Sequence, residues 1–183
     1  MEVAMRSLVL NLLLIGLAST ASGEEPRKDE EKIKQEVANL QGTWQAISWV
    51  EDGENMPDEL LKYVRWTFKG NKLFSTKPFI VIVDGKNRVK RQGGTVETDY
   101  EVNPTKKLKV MTGTTVKPRK GIETAGIYSL EGDTLKVCAS AEGKDDPPDE
   151  FSAKVGTGRT LITFKRKKDA QSEKESGGEL KPR

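Results

Sequence analysis

The spacing of hydrophobic positions changes period near residue 40. Upstream, Ile33, Val37 and Leu40 recur at helical spacing in an otherwise charged run, so 24–39 reads either as a short amphipathic helix or as a charged linker. Downstream the period drops to two. Trp44, Ala46, Ser48 and Val50 share one face of a first strand, and Gln45, Ile47 and Trp49 share the other. The first set suits a barrel interior, which leaves Ile47 and Trp49 outside, to be covered by the leader helix. Gly42, two residues before Trp44, lets the backbone bend tightly into a barrel floor that the indole plugs. Met56-Pro57-Asp58-Glu59-Leu60-Leu61 has proline and acids where a helix should begin, and predicts a short helix that lids one end of the barrel.

The same alternation recurs along the rest of the chain. Val64, Trp66 and Phe68 oppose Arg65, Thr67 and Lys69, and Gly70-Asn71 then turns the chain. Lys72 to Val83 is a strand interrupted by Pro78, which predicts an edge or a bulge there. Phe79, Ile80, Val81, Ile82 and Val83 are apolar on both faces: one reading makes them a partner or homodimer surface, the other a strand covered by the leader helix. Asp84-Gly85 and Gly93-Gly94 bracket a basic patch on an exposed hairpin, Lys86, Arg88, Lys90 and Arg91, whose charge is solubilising, and strand signals return only at Thr95. Strands follow at Thr95 to Val102 and Lys107 to Thr115. A hairpin joins Gly126–Leu130 to Thr134–Ala139 through Glu131-Gly132-Asp133. A short strand is expected at Phe151 to Val155, and a last one at Arg159 to Arg166, with Ile162, Phe164 and Arg166 on one face. Eight or nine strands at hairpin spacing predict an all-β chain, a closed antiparallel barrel of about eight strands over 40–166. The polar tail, 167–183, is expected to be disordered.

Composition adds a compartment and removes chemistries. Arg6 precedes an apolar run from Leu8 to Ala18, and Ala21-Ser22-Gly23 supplies small residues for cleavage, so 1–23 reads as a signal peptide. The protein is then exported, periplasmic or extracellular, with no integral membrane span after cleavage. The net charge of +3 is too small for a nucleic-acid footprint. Cys138 is the single cysteine and cannot form an intramolecular disulfide; it reads as a packing residue or a free thiol. The chain has no histidine, which removes Ser-His-Asp and Cys-His catalysis and histidine-containing zinc sites. Carboxylates on one loop, Asp145, Asp146, Asp149 and Glu150, read as a solvated loop and lack calcium-loop spacing. No catalytic residue, metal or cofactor is expected, and the chain reads as a non-enzyme.

Leu40-Gln41-Gly42-Thr43-Trp44, Thr67-Phe68-Lys69-Gly70-Asn71-Lys72, Asn103-Pro104-Thr105-Lys106-Lys107, Gly126 to Cys138 and Arg159 to Arg166 occur in a specific order. In that order they resemble the uncharacterised lipocalin-like domain family expanded as paralogues in planctomycete bacteria. The resemblance implies a lipocalin-type barrel in an exported protein and no assigned activity. Gly42 and Trp44 match the lipocalin Gly-x-Trp; Arg166 is the matching arginine that covers the indole, with Arg159 second. The chain is longer than the family pattern between Thr76 and Gly94. The expected function is binding of a small hydrophobic or amphipathic ligand, lined by Trp66, Phe68, Tyr100, Tyr128 and Phe164, chosen by strand phase and size. The alternative is a ligand-free envelope module that works through Phe79–Val83 and an outward Trp49.

Overall fold

The computed structural model describes residues 25–83, 86–141, 143–144 and 146–168, and for 25–26 and 79–92 the backbone alone. The expected signal segment, nearly all of the expected tail and Asp145 lie outside the described residues. In chain order the elements are α1 (Glu25–Leu40), β1 (Gly42–Glu51), β2 (Glu54–Asn55), α2 (Asp58–Leu61), β3 (Arg65–Lys69), β4 (Lys72–Val83), β5 (Lys86–Asn103), β6 (Lys109–Lys117), β7 (Glu123–Glu131), β8 (Thr134–Ala139) and β9 (Thr160–Arg166). From β3 to β9 each strand pairs antiparallel with the next. β9 returns to β1 and β1 pairs with β3, which closes an eight-stranded barrel. The two-residue β2 is an extra strand at the far end of β1.

The leader is helical because its apolar positions share one stripe that has a surface to bury. Leu40 is fully buried in the barrel core, and Ile33 and Val37 pack against it. Burying Leu40 alone contributes about 2 kcal/mol. On the same helix Glu36 is buried and accepts a 2.7 Å bond from Lys109 Nζ at the start of β6. The helix therefore packs across the end of the barrel that carries the β3–β4 and β5–β6 turns, not along its outer wall.

Strand β1 departs from simple alternation. Its register with β9 shifts between Ala46 and Ser48, a bulge that reverses the phase of the strand. Trp44 and Ala46 point into the core, but beyond the bulge Trp49 and Glu51 face the interior, while Ser48 and Ile47 are exposed. An outward Trp49 under a helical cover is thereby corrected, and Ile47 stays about half exposed, at 49%.

Helix α2 has a different place from the expected lid. β1 and β3 pair only over Gly42–Gln45 and Arg65–Phe68. Leu60, Leu61 and Val64 are buried beside the gap above them. Gln45 Nε2 holds that segment through bonds to the Leu61 and Val64 carbonyls at 2.7 and 2.8 Å. Two further expectations change. Gly93 and Gly94 lie inside β5, whose pairing with β4 continues on both sides of them, with bulges on either side of Pro78. Phe151 to Val155 forms no strand; that loop folds over the outer face of β7 and β8. There Cys138 Sγ donates to the Ser152 carbonyl at 3.4 Å, and Ile127, Cys138 and Ala153 are buried.

Candidate functional site

One end of the barrel is sealed by a clasp of named groups. Gly42 adopts φ 107°, which L side chains rarely take, and a Cβ there would stand 3.3 Å from Arg166 Nη1. The chain thus enters β1 close under Arg166, and Trp44 turns inward with its Nε1 donating to the Leu40 carbonyl at 2.8 Å. The Arg166 guanidinium lies 4.0 Å from the Trp44 ring centroid. Its Nη1 donates to the Gln41 carbonyl at 2.5 Å and its Nη2 to the Asn39 carbonyl at 2.6 Å, and Nε pairs with Asp133 at 3.2 Å. Carbonyls at a helix C-terminus lack intrahelical donors, and a cation there meets the negative end of the helix dipole. Arg166 therefore binds α1, β1 and the β7–β8 turn together. Arg159 lies elsewhere, paired at 2.9 Å with Asp149 in the β8–β9 loop.

Gln41 completes this end. Its Nε2 donates to the carbonyls of Val37 and Gly70 and to the Tyr100 hydroxyl, and its Oε1 accepts from the Gly70 amide at 2.8 Å. Tyr100 in turn donates to the Gly70 carbonyl at 3.0 Å. Burial raises the phenol pKa of Tyr100, against a smaller lowering by Gln41. Tyr128 is also buried, under the Glu36–Lys109 pair, and among the described residues its hydroxyl has no partner at full hydrogen-bond geometry, the Glu36 carboxylate being the polar group that acts on it. Burial first, and then the Glu36 carboxylate, hold that phenol protonated far above its ordinary range.

Above the sealed end lies a cavity of about 440 Å³. Its deeper wall is apolar, formed by Trp66, Leu73, Tyr100, Met111, Val137 and Ile162, with Trp49 added by the bulge in β1. Nearer the opposite end hydroxyls, those of Ser75, Thr98, Thr115, Thr124 and Thr160, stand among apolar Val96, Pro118 and Ile122. The charged lining residues are Glu51 at the end of β1, Lys77 midway along β4 and Arg119 in the β6–β7 loop. Glu51 accepts from Trp49 Nε1 at 3.3 Å. Gly113 and Gly126 line the wall on adjacent strands, and each is closely approached. A Cβ on Gly126 would stand 2.9 Å from the Cys138 carbonyl oxygen.

No family model, curated protein or solved structure matches the chain. The functional reading therefore rests on the residues of the cavity themselves.

Of the five lining residues expected from sequence, Trp66 and Tyr100 border the cavity. Phe68 and Phe164 lie in the packed layer beneath it: Trp66 sits 4.8 Å from Phe164 by ring centroid and 6.1 Å from Phe68, and Phe68 stands edge-on to Tyr100 at 5.0 Å. Tyr128 is buried toward α1. The walls missed by the sequence reading are the small and hydroxylic positions, Thr98, Gly113, Thr124 and Gly126, and the pair Trp49 and Glu51. Thr98 shares the strand phase of Tyr100, so alternation alone would have found it. Among the described residues no cluster of three or more His, Cys, Asp or Glu comes together as metal ligands. Asp149 and Glu150 pair with Arg159 and Lys154, as loop carboxylates commonly do.

Proposed function

We propose that this is an exported, non-enzymatic binding protein that carries one small apolar or amphipathic molecule in its barrel. The observation that carries the reading is a gradient of charge along the cavity: aromatic and aliphatic side chains with hydroxyls among them line its walls, and the three charged side chains, Glu51, Lys77 and Arg119, stand toward the mouth. Such a gradient suits a molecule with an apolar body held inside and a polar end at the opening. A volume of about 440 Å³ falls in the range of small-molecule sites. The glycine, indole and arginine at the sealed end are consistent with a lipocalin-type barrel, in which Gly42, Trp44 and Arg166 close the floor and leave binding to the other end.

The test is native mass spectrometry of the purified protein for a retained small molecule, together with titration of a fluorescent apolar probe. Thr124→Trp fills the cavity from β7 without touching the sealed end. It is expected to lower probe affinity at least tenfold with the fold retained. Probe binding that is absent in the parent protein, or equal in parent and variant, refutes the reading. The alternative of a ligand-free module loses Trp49 from its contact surface, because that indole faces the cavity.

A further inference from the structure

Strands β4 and β5 outrun the barrel. Among the described residues, β3 pairs with β4 only over Lys72–Thr76, and β6 pairs with β5 only over Glu97–Asn103. From Pro78 to Val83 and from Lys86 to Gln92 the two strands pair with each other alone. At about 3.3 Å per residue, this ribbon reaches about 20 Å past the last three-strand pairing. It leaves the barrel at Lys77 and Val96, both of which line the cavity, so it stands at the mouth.

The register sorts the residues of the ribbon. At the register positions of one face, Phe79, Val81 and Val83 are paired with Arg91, Arg88 and Lys86, an apolar residue opposite a basic one each time. Ile80 and Ile82 are paired with Val89 and Asn87, so the other face carries no charge at these positions. From Lys77 to Gln92 there are five basic residues and one acid. That net charge of +4 exceeds the +3 of the whole chain and leaves the remainder slightly acidic. A lone two-stranded ribbon is marginal in water, and one with apolar residues on both faces calls for surroundings on both sides.

We propose that this ribbon docks the mouth of the barrel onto an anionic lipid surface. A bilayer interface can surround both faces at once, and it takes up apolar side chains while its headgroups meet the adjoining cations. A second copy of the chain fits poorly, because ribbon-to-ribbon pairing sets two groups of net +4 against each other. A protein groove would cover one face and leave the other in water. Docking in this position sets the cavity against the lipid, so that an amphipathic molecule passes between bilayer and barrel without crossing open water. The docking itself does not depend on the cavity being loaded.

The experiment is co-sedimentation of the full chain, in the form in which it accumulates, with vesicles of phosphatidylcholine alone or mixed with phosphatidylglycerol, at low and high salt. The parent is compared with K86Q/R88Q/K90Q/R91Q and with Ile80→Ser/Ile82→Ser. All three forms share the same N-terminus, so the leader contributes equally. The parent is expected to bind the anionic vesicles and to be released by salt. Affinity should fall about fivefold for each basic residue removed and more than a hundredfold for all four. The serine variant should also weaken, and all three forms should melt alike, because the changes lie beyond the barrel. Thr124→Trp should leave vesicle binding unchanged, which separates this inference from the proposed cavity ligand. Equal binding to both vesicle types, unchanged binding by the glutamine variant, or a dimer that ignores vesicles overturns the proposal.

Discussion

Replacing Arg166 with alanine removes the group that joins the helix, the first strand and the last. Two charge-assisted bonds to backbone carbonyls are lost, at 2.5 and 2.6 Å, each contributing about 1.5–3 kcal/mol. The stack on Trp44 adds about 0.5–2 kcal/mol. The ion pair to Asp133 adds little, because the aspartate side chain is 56% exposed. Water reaches the vacated carbonyls in part, since Arg166 is itself 27% exposed, so the contributions do not add fully. The expected loss is about 3–5 kcal/mol, a large share of the roughly 5–15 kcal/mol typical of a domain. Arg166→Lys keeps the charge and a single donor head, and is expected to lose about 1–2 kcal/mol. The assay is urea unfolding followed by tryptophan fluorescence, with thermal melting as a second readout; the alanine variant should melt about 10 °C lower. Arg159→Ala is the control, because its partner Asp149 is 85% exposed and the pair contributes under about 1 kcal/mol. A loss below about 0.5 kcal/mol for Arg166→Ala, or equal losses for lysine and alanine, would refute the clasp.

Two further outcomes concern buried titratable groups. Burial raises the pKa of the Cys138 thiol above its ordinary value, so at pH 8 the native protein should resist a thiol reagent that modifies it fully in urea; rapid labelling without denaturant would contradict the packing shown. Tyr128 stays protonated in the folded state at pH values where the unfolded phenol ionises, so it contributes stability below about pH 10 that is lost as the pH rises further. Tyr128→Phe should therefore flatten the alkaline fall in the urea midpoint, and an unchanged fall between pH 9 and 11 would count against that origin.

Much of the fold was legible because closed barrels repeat one simple rule. The alternation around Trp66, the hairpin from Gly126 to Ala139 and the glycine before Trp44 each state a local choice that agrees with the whole. The reversal of phase in β1 was not legible. The residues around Ile47 include no glycine or proline, and the bulge exists only in the pairing with β9. The run through Gly93 and Gly94 misled for the opposite reason, since a glycine pair resembles a turn until a partner strand is present on both sides. For the cavity, choosing by size led into the packed layer. Large rings such as Phe68 and Phe164 fill space together, whereas an open volume persists where side chains are short, at Gly113, Gly126 and the threonines.

The seam between β1 and β9 also sets a temporal order. The other barrel pairings join strands that are consecutive, or nearly so, in sequence, but Gln41 and Arg166 meet across 125 residues. Bringing those ends together costs about 3 kcal/mol more in loop entropy than closing a four-residue turn. The hairpins can form while the seam is still open, and the guanidinium finds its two carbonyls only after α1 has wound and β9 has arrived. Loop entropy therefore places closure of the seam after the hairpins in the order of assembly.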